Sequence, residues 1–257
     1  MFDSTIPQGC FITQLRSERE SNAKGGIYNH LQVEFAYHSN HIEGSKLSLD
    51  QTRYIFETAT IDLSLSKTEN TSTHTQSAIP VDDIMETNNH FRAVDYVIDH
   101  ALEPISDGMI KKLHEILKSS TTNAAKSWFA VGDYKKLPNE VGMRSTTEPE
   151  NVANEISQLL AKYEPNKMHT FQDILEFHVQ FERIHPFQDG NGRVGRLIMF
   201  KECLANNIVP FIITDDMKLF YYRGLSEWNT EKGFLTDTCL AGQDAFKETL
   251  DYFRITY

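Results

Sequence analysis

Apolar residues recur at helical spacing along most of this 257-residue chain. The segment FQDILEFHVQFERI, for example, places Ile174, Phe177, Phe181 and Ile184 on one face of a helix. Hydrophobic residues make up 40% of the chain and aromatic residues 11%, which is enough to fill a substantial core. The pattern therefore predicts an all-α bundle.

Two stretches depart from this helical period. The segment WFAVGDYKKLPNEVGMRSTTEP (128–149) contains glycines and prolines, and it predicts a loop or a short β-hairpin. The polar segment 66–77 predicts a solvated loop. Elsewhere Ser48 and Ser106 stand directly before helical segments, where a serine side chain can cap the free N–H groups.

The net negative charge of the chain argues against one class of partner, nucleic acid. The formal net charge is −11 and the chain lacks a long basic run, so non-specific binding to nucleic acid is not expected. Three cysteines, Cys10, Cys203 and Cys239, are too far apart in sequence for a zinc motif, and an odd number is a poor disulfide framework. With neither a secretory leader nor an apolar run of about 20 residues, the expectation is a cytoplasmic protein without a membrane segment.

One loop, HPFQDGNGRVGR (185–196), joins two predicted helices and collects residues that suit a phosphate. The start of a helix exposes unpaired N–H groups and positive partial charge. Gly190 and Gly192 let the backbone approach an anion closely. Arg193 and Arg196 leave the same helical face one turn apart, and could grip successive phosphates.

The same loop supplies a cation ligand and a base. Asp189 offers a hard oxygen of the kind that binds Mg²⁺ beside phosphates. His185 has an ordinary pKa suited to taking a proton at neutral pH. Phe187 has no polar role and is expected to anchor the loop in the core. These parts fit the attack of a hydroxyl on a nucleotide phosphate that carries Mg²⁺.

The stretch HPFQDGNGRVGR resembles the signature of Fic-domain proteins, HPFx(D/E)GNGRxxR, at every defined position. The resemblance implies a helical Fic fold with a small β-hairpin flap, and transfer of AMP from ATP to a Ser, Thr or Tyr hydroxyl of a protein with Mg²⁺ or Mn²⁺. It implies that His185 is the general base, that Asp189 binds the metal, and that Arg193 and Arg196 contact the α/β- and γ-phosphates. It assigns nucleotide contacts to Gly190, Asn191, Gly192, Arg193, Val194, Gly195 and Arg196.

Upstream, SNHIEG (39–44) resembles the inhibitory motif of many Fic proteins, (S/T)xxxE(G/N). The resemblance implies that a helix over about 31–44 directs Glu43 towards Arg196 and blocks the productive position of the γ-phosphate. Ser39 lies one helical turn before Glu43, so it is expected to face the site as well. A Glu–Arg pair competes directly with an anionic ligand for the same guanidinium group.

Two further segments resemble parts of the family's site. YKKLPNEVG (134–142) stands where the flap should be, and its strand edge is expected to pair with a protein substrate, with Leu137 and Val141 clamping the target side chain. Nucleotide contacts are also expected from Val141, Gly142, Met143 and Arg144. YYRGLSEWN resembles the adenosine segment, so that Tyr221 or Tyr222 would stack on the base and Asn229 would hydrogen-bond to it.

The domain expectation is an N-terminal extension over 1–28, a core over 29–229, and a C-terminal helical extension over 230–257 in the same domain. The leading prediction is a self-inhibited protein adenylyltransferase, with self-modification and a homo-oligomer left open. Removal of AMP from a modified protein would use the same site. A phosphate transfer of the Doc type is disfavoured because Gly192 and Arg196 are present, and a non-catalytic nucleotide-binding regulator remains a different class.

Overall fold

The computed structural model describes residues 9–62, 64, 78–142, 144–164 and 167–256. Within those ranges the chain forms ten α-helices and one two-stranded antiparallel sheet. The helices are α1 (Cys10–Glu20), α2 (Ile27–Ile42), α3 (Leu49–Thr58), α4 (Val81–Asp99), α5 (Asp107–Lys118), α6 (Pro149–Lys162), α7 (Phe171–Ile184), α8 (Asn191–Ala205), α9 (Lys218–Glu227) and α10 (Gly233–Tyr252), and the strands are β1 (Glu140–Val141) and β2 (Arg144–Ser145). The predicted all-α fold with one small hairpin is confirmed.

Polar side chains fix where several helices begin. The Ser48 hydroxyl accepts the Gln51 N–H at 3.1 Å while the Gln51 side chain accepts the Ser48 N–H at 2.9 Å, which is a complete capping box. Ser106 accepts the Met109 N–H in the same way at the start of α5. Both predicted caps are confirmed. A second capping box, between Thr170 and Asp173, starts α7.

The two helices that flank the signature loop lie at the centre of the bundle. Helix α7 buries its predicted apolar face, with Ile174, Phe177, Phe181 and Ile184 between 0% and 7% exposed. Nearly every residue of α8 is buried, including its charged residues. The second half of the signature therefore lies inside the core, where a charged side chain needs a partner of opposite charge.

Helix α1, which the sequence patterns above did not predict, packs into the main core through Phe11, Ile12 and Leu15. The Glu18 carboxylate also caps the start of α2, because it accepts the Tyr28 N–H at 2.8 Å. A Cβ at Gly26 would lie 2.2 Å from that carboxylate, so a larger residue there would displace the cap. This helix therefore supports α2, which carries Ser39.

The segment after residue 230 forms α10, which packs against α9 and buries Phe246 and Leu250 in the main core. Gly224 allows the close approach of the two helices, since a Cβ there would lie 2.6 Å from the Leu235 Cα. The C-terminal segment is thus helical and packs against the rest of the bundle.

Two predicted features, the polar loop 66–77 and Met143, lie outside the described residues. Among the helices that are described, none combines the length and the apolar character needed to cross a bilayer.

Candidate active site

The signature loop is held rigidly between α7 and α8. His185 ends α7 in the left-handed conformation, with φ of 51°. Phe187 is fully buried and stacks on the ring of His114 at a centroid distance of 4.0 Å. The Asn191 side chain accepts the Phe187 N–H and donates to the Phe187 carbonyl, both at 2.8 Å. The predicted anchoring role of Phe187 agrees with this packing.

Glycines open the N-terminus of α8. Gly190 precedes the helix with φ of 87°, which a residue with a Cβ adopts rarely, and its Cα faces the aliphatic stem of Lys118. A Cβ at Gly192 would lie 2.4 Å from Glu43 Oε1 and 2.9 Å from Arg196 Nη1. The absence of a side chain at Gly192 therefore provides the space in which Glu43 and Arg196 meet.

Arg193 is 3% exposed and belongs to a ring of four charged groups. Its Nη1 donates to Glu86 Oε2 at 2.5 Å, and its Nη2 lies 3.6 Å from Asp189 Oδ1. Lys118 closes the ring, since its Nζ donates to both Glu86 and Asp189 Oδ2, the latter at 2.6 Å. Two cations and two carboxylates thus compensate one another inside the protein.

Arg196 is 2% exposed and is held from the opposite side by the end of α2. Its Nη2 donates to Glu43 Oε1 at 2.7 Å and to the Ser39 carbonyl at 2.9 Å, while its Nε donates to the Ser39 hydroxyl at 3.1 Å. Its Nη1 is buried without a hydrogen-bond partner among the described residues. The contacts expected of Glu43 and Ser39 are thus present in the geometry.

Asp189 and Glu43, two of the acidic residues that face these arginines, are ionised. Burial opposes the charge of Asp189, but Arg193 and Lys118 outweigh it and lower its pKa to about 2. Burial also opposes the charge of Glu43, and the charges of Arg196 and Arg193 lower its pKa below the ordinary value. Glu43 is therefore a carboxylate at neutral pH, as an ion pair with Arg196 requires.

His185 is neutral at physiological pH. Burial, assisted by the nearby charge of Lys135, lowers the pKa of its imidazole to about 4. A neutral imidazole has a lone pair with which to accept a proton, so this electrostatic state suits a base.

Glu182, one turn before His185 on α7, lies behind Arg196. Burial raises the pKa of its carboxyl group to about 8, although the charge of Arg196 opposes the shift. Its Oε1 is buried without a hydrogen-bond partner in the described ranges and would lie 2.7 Å from a Cβ at Gly195. His178 would lie equally close to that Cβ, so Gly195 lets α8 approach these two side chains.

Among the described residues, three hydrogen bonds connect the hairpin segment to the signature loop. The Lys135 N–H donates to the Pro186 carbonyl at 2.9 Å, the Asn139 side chain to the Phe187 carbonyl at 3.0 Å, and the Leu137 N–H to the Gln188 side chain at 3.3 Å. Leu137 and Val141 are each 47% exposed. The hairpin therefore lies against the loop, as the flap prediction requires, with two apolar side chains in solvent.

The paired strands of the hairpin are short. Val141 pairs with Arg144, and Gly142 turns the chain with φ of 62°. Val141, Gly142 and Arg144 thus stand at the tip of the hairpin, and Met143 lies outside the described part of the chain.

The predicted adenosine segment is divided between core and surface. Tyr221 is 1% exposed, and its hydroxyl lies 2.7 Å from His178 Nε2, so its ring has no free face for a base. Tyr222 is 40% exposed, and Asn229 is exposed and accepts a hydrogen bond from Arg183 at 2.9 Å. Of the two tyrosines predicted to stack on adenine, Tyr222 is the one with an accessible ring.

Val194 does not fit its predicted nucleotide contact. Its side chain is fully buried in the core, and its N–H is hydrogen-bonded to the Gly190 carbonyl at 3.0 Å. In this arrangement neither group is free to reach a ligand, because the second turn of α8 has already entered the core.

Asp189 fits a metal ion that a nucleotide also ligates. Its side chain is ionised and 44% exposed, and a single carboxylate suits Mg²⁺ when phosphates and waters complete the shell. The described residues hold no group of three or more His, Cys, Asp or Glu side chains that could bind a metal by themselves. A resident metal centre made by the protein alone is therefore not indicated in those ranges.

Three residues of the site were missed from the sequence: Glu86, His114 and Lys118. His114 accepts the Gly132 N–H through Nδ1 at 3.0 Å, so its Nε2 carries the proton and donates to the Asp189 carbonyl at 3.1 Å. A signal existed in α5, because Ile110, His114 and Lys118 follow one another at intervals of four on the buried face. A lysine that continues an apolar helical face predicts a buried partner of opposite charge.

A cavity of about 230 Å³ lies at the far end of α8 from the signature. Its polar lining includes Lys201, Glu202 and Tyr163, which satisfy one another: Lys201 pairs with Glu202 at 2.7 Å, and the Tyr163 hydroxyl donates to Glu202 at 2.9 Å. These groups present no free charge for a ligand, so the signature loop is the stronger candidate.

A family model described as the Fic/DOC family matches residues 104–203, a range that contains α5, the hairpin and the whole signature loop. The chain contains a Fic domain. The resemblance stated from the signature is thereby confirmed.

Curated relatives of this Fic-domain chain are named protein adenylyltransferases. "Protein adenylyltransferase Fic" of Nematostella vectensis is 26% identical over 202 residues, which are 75% of this chain and 42% of that protein. The protein of the same name from Drosophila mojavensis is 25% identical over 225 residues, which are 84% of this chain and 40% of that protein. The chain thus spans about two fifths of the length of these relatives.

Solved structures share the fold of this Fic-domain chain. A Fic domain containing signaling protein from Bacteroides thetaiotaomicron has a TM-score of 0.66 at 23% identity, over 94% of this chain and 90% of that one. Fic-1 from C. elegans has a TM-score of 0.67 at 18% identity, over 95% of this chain and 72% of that one. At these identities the likeness shows the fold.

Proposed function

We propose that this Fic-domain chain is a self-inhibited protein adenylyltransferase, which transfers AMP from ATP to a Ser, Thr or Tyr hydroxyl of a protein. The observation that carries the proposal is the arrangement of one neutral histidine beside an open helix N-terminus that is followed by two buried arginines. The names of the relatives support the same activity.

The first turn of α8 would bind the triphosphate. Free N–H groups at Asn191 and Gly192 meet an anion there without a side chain in the way, and Arg193 would contact the α- and β-phosphates. Arg196 would contact the γ-phosphate, for which its unpartnered Nη1 is suited. Asp189 would hold a divalent cation such as Mg²⁺ or Mn²⁺, which when bound supplies positive charge to the phosphates and to the leaving group.

His185 would take the proton of the target hydroxyl. The hydroxyl oxygen then bonds to the α-phosphorus, the bond from that phosphorus to the bridging oxygen breaks, and pyrophosphate leaves. The positive charge of Arg193 and the N–H groups of α8 stabilise the charge that develops on the phosphoryl oxygens. Because the pKa of His185 is about 4, its imidazole is unprotonated at neutral pH, and its lone pair is available to the proton of the hydroxyl.

Glu43 would inhibit the reaction because its ion pair with Arg196 keeps this arginine from binding the γ-phosphate. Its carboxylate takes a guanidinium N–H at 2.7 Å and fills the space above Gly192 that a γ-phosphate needs. Release requires Glu43 to move from Arg196, and its partly exposed position at the end of α2 makes that movement feasible.

The hairpin would align the target. The exposed edge of β1 offers backbone groups to an extended segment, while Leu137 and Val141 contact the side chain that carries the hydroxyl. Backbone pairing reads little sequence, so hydroxyls of this chain itself are substrates in the same way as those of another protein.

The reverse reaction, hydrolysis of AMP from a modified protein, is the second candidate. The ionised carboxylate of Glu43 beside Gly192 favours it, since a carboxylate at that point can orient a water molecule towards the α-phosphorus. A protein carrying AMP, incubated with wild-type protein and with Glu43→Gly, separates the two reactions. Release of AMP that needs Glu43 identifies the hydrolase.

Incubation of the Glu43→Gly protein with Mg²⁺ and ATP labelled at the α-phosphate tests the transferase. We expect labelled protein, and no label in Glu43→Gly/His185→Ala. Nucleotide binding without label would contradict the transferase and indicate a regulator. Mass spectrometry of lysate treated with the same variant would identify the targets.

A further inference from the structure

Lys118 is the member of the charged ring that comes from outside the signature. It is 1% exposed at the end of α5, and its ammonium group lies between the Glu86 carboxylate and Asp189 Oδ2. Its stem packs on the face of Gly190, at 3.4 Å from the position of a Cβ there. The lysine stem therefore lies in van der Waals range of the backbone at Gly190.

The ammonium group uses the same carboxylate that a divalent cation would use. Asp189 Oδ1 accepts the Gly190 N–H at 2.6 Å, and Oδ2 accepts Lys118 at 2.6 Å. Both oxygens therefore already have partners within the protein. A second positive ion on Oδ2 would lie close to the ammonium group, and in a low-dielectric interior such like charges repel strongly.

The ring leaves Lys118 with a counter-charge if its contact with Asp189 is broken. Glu86 shares its two oxygens between Lys118 and Arg193, so the ammonium group keeps one counter-charge if Asp189 turns away. Asp189 is the exposed member of the ring, with a side chain 44% in solvent, whereas Lys118 and Arg193 are buried. The contact between Lys118 and Asp189 is therefore the one that a ligand from solvent can open.

We propose that Lys118 is a positioning residue that acts as a built-in cation at Asp189, and that a divalent ion must displace its ammonium group to use this carboxylate. When no metal is present, Lys118 then balances part of the charge of a bound nucleotide. When metal is present, it competes for Asp189 and weakens the binding of the metal. The proposal rests on the proposed nucleotide site, since the metal reaches Asp189 together with phosphates.

Calorimetry with α,β-methylene-ATP, which cannot be cleaved between the α- and β-phosphorus, tests this proposal in the Glu43→Gly background. The dissociation constant is measured with Mg²⁺ and with EDTA for the parent and for Lys118→Gln. We expect the ratio of the EDTA value to the Mg²⁺ value to rise about tenfold in Lys118→Gln, the effect of one charge-assisted contact. We also expect half-saturation at a lower Mg²⁺ concentration.

Matched variants separate this role from a structural one. Lys112→Gln removes an exposed lysine of the same helix and should leave the ratio unchanged, as should Lys118→Arg, which keeps the charge. If Lys118→Gln weakens both dissociation constants by the same factor, the proposal is wrong. If the parent binds no nucleotide under either condition, the proposed function fails instead.

A crystal structure of the Glu43→Gly protein with Mg²⁺ and α,β-methylene-ATP provides a test without any change at Lys118. We expect Lys118 Nζ to keep Glu86 and to lie beyond hydrogen-bond distance of Asp189 Oδ2. A metal bound to Asp189 while the contact of 2.6 Å is kept would overturn the proposal.

Discussion

Arg193 and Arg196 lie one turn apart on α8 and are equally buried, yet their carboxylate partners are anchored differently. Glu86, the partner of Arg193, lies within α4 and is shared with Lys118. Glu43, the partner of Arg196, is the C-cap residue that directly follows α2, and its side chain is 30% exposed. The carboxylate that pairs with Arg193 is therefore fixed within a helix and between two cations, while the carboxylate that pairs with Arg196 lies at the end of a helix.

This difference indicates what each pair can do. A carboxylate that lies within a helix and between two cations is firmly held, so we expect Arg193 to keep its position when a ligand binds. A carboxylate at a helix end can leave when the terminal turn moves, so Arg196 is open to exchange between Glu43 and a phosphate. Under the proposed function, the same chemical pair serves as a permanent support at one arginine and as a competitor at the other.

Glu86→Gln tests the permanent pair and should have the largest effect. Lys118 and Arg193 would keep only Asp189 as a counter-charge, so we expect the free energy of unfolding to fall by about 3 kcal/mol. Urea unfolding measures the loss, with the exposed Glu115→Gln as the control. A loss below about 1 kcal/mol would show that the ring does not hold the two cations in place.

Glu43→Gly tests the exchangeable pair. Removal of the competing carboxylate should raise the rate of self-labelling by about ten- to one hundredfold, equivalent to 1.4–2.7 kcal/mol of recovered binding. The free energy of unfolding should fall by about 1–2 kcal/mol, less than in Glu86→Gln, because the buried Arg196 loses its carboxylate but keeps its hydrogen bonds to Ser39. If this variant loses as much stability as Glu86→Gln, the two pairs do not differ as described.

Glu182→Gln tests the electrostatics behind Arg196. The pKa of Glu182 is raised from 4.5 to about 8, so the folded protein keeps a proton that the unfolded chain releases in this window. The stability that this group contributes is present below pH 4.5 and is lost as the pH rises through about 8. Glutamine cannot ionise, so Glu182→Gln should gain about 1 kcal/mol or more over wild type between pH 5 and pH 8.5.

Urea unfolding at those two pH values measures the gain, and Glu115→Gln again serves as the exposed control. An equal difference between variant and wild type at both pH values would mean that Glu182 is not held as the neutral acid.

Ser39→Ala should have the smallest effect. Arg196 would lose the hydroxyl that accepts from its Nε but keep the Ser39 carbonyl and Glu43. We expect self-labelling to rise by less than about fivefold, because one hydrogen bond of the inhibited arrangement is removed. Labelling equal to that of Glu43→Gly would place the inhibition in Ser39 rather than in the carboxylate.

The sequence predicted the parts of this molecule that depend on local periodicity and on a contiguous motif. The all-α fold, although not helix α1 itself, the caps at Ser48 and Ser106, and the burial of Phe187 follow from patterns a few residues long. The hairpin was predicted because its segment breaks the helical period. These features need no knowledge of how distant segments meet.

Contacts between residues that are far apart in the sequence could not be predicted from such local patterns. Glu86 and Lys118 lie 107 and 75 positions before Arg193 in the chain, and nothing in their own segments names the partner. Tyr221 and Tyr222 are adjacent in sequence, and only the packing of α9 decides which of them is buried. The contact between Glu43 and Arg196 could be named in advance only through the resemblance to a family.

Because Gly192 has no side chain, the same space beside it can hold either the Glu43 carboxylate or, under the proposed function, a phosphate. A single methyl group there would take the volume used by the Glu43 carboxylate, and the same volume would be needed by an incoming phosphate. Under the proposed function, a side chain at this position would therefore disturb both the binding of the phosphate and its inhibition by Glu43. Under the same proposal, a change in α2 or at Glu43 would remove the inhibition alone, whereas a change at Gly192 would affect the inhibition and the nucleotide site together.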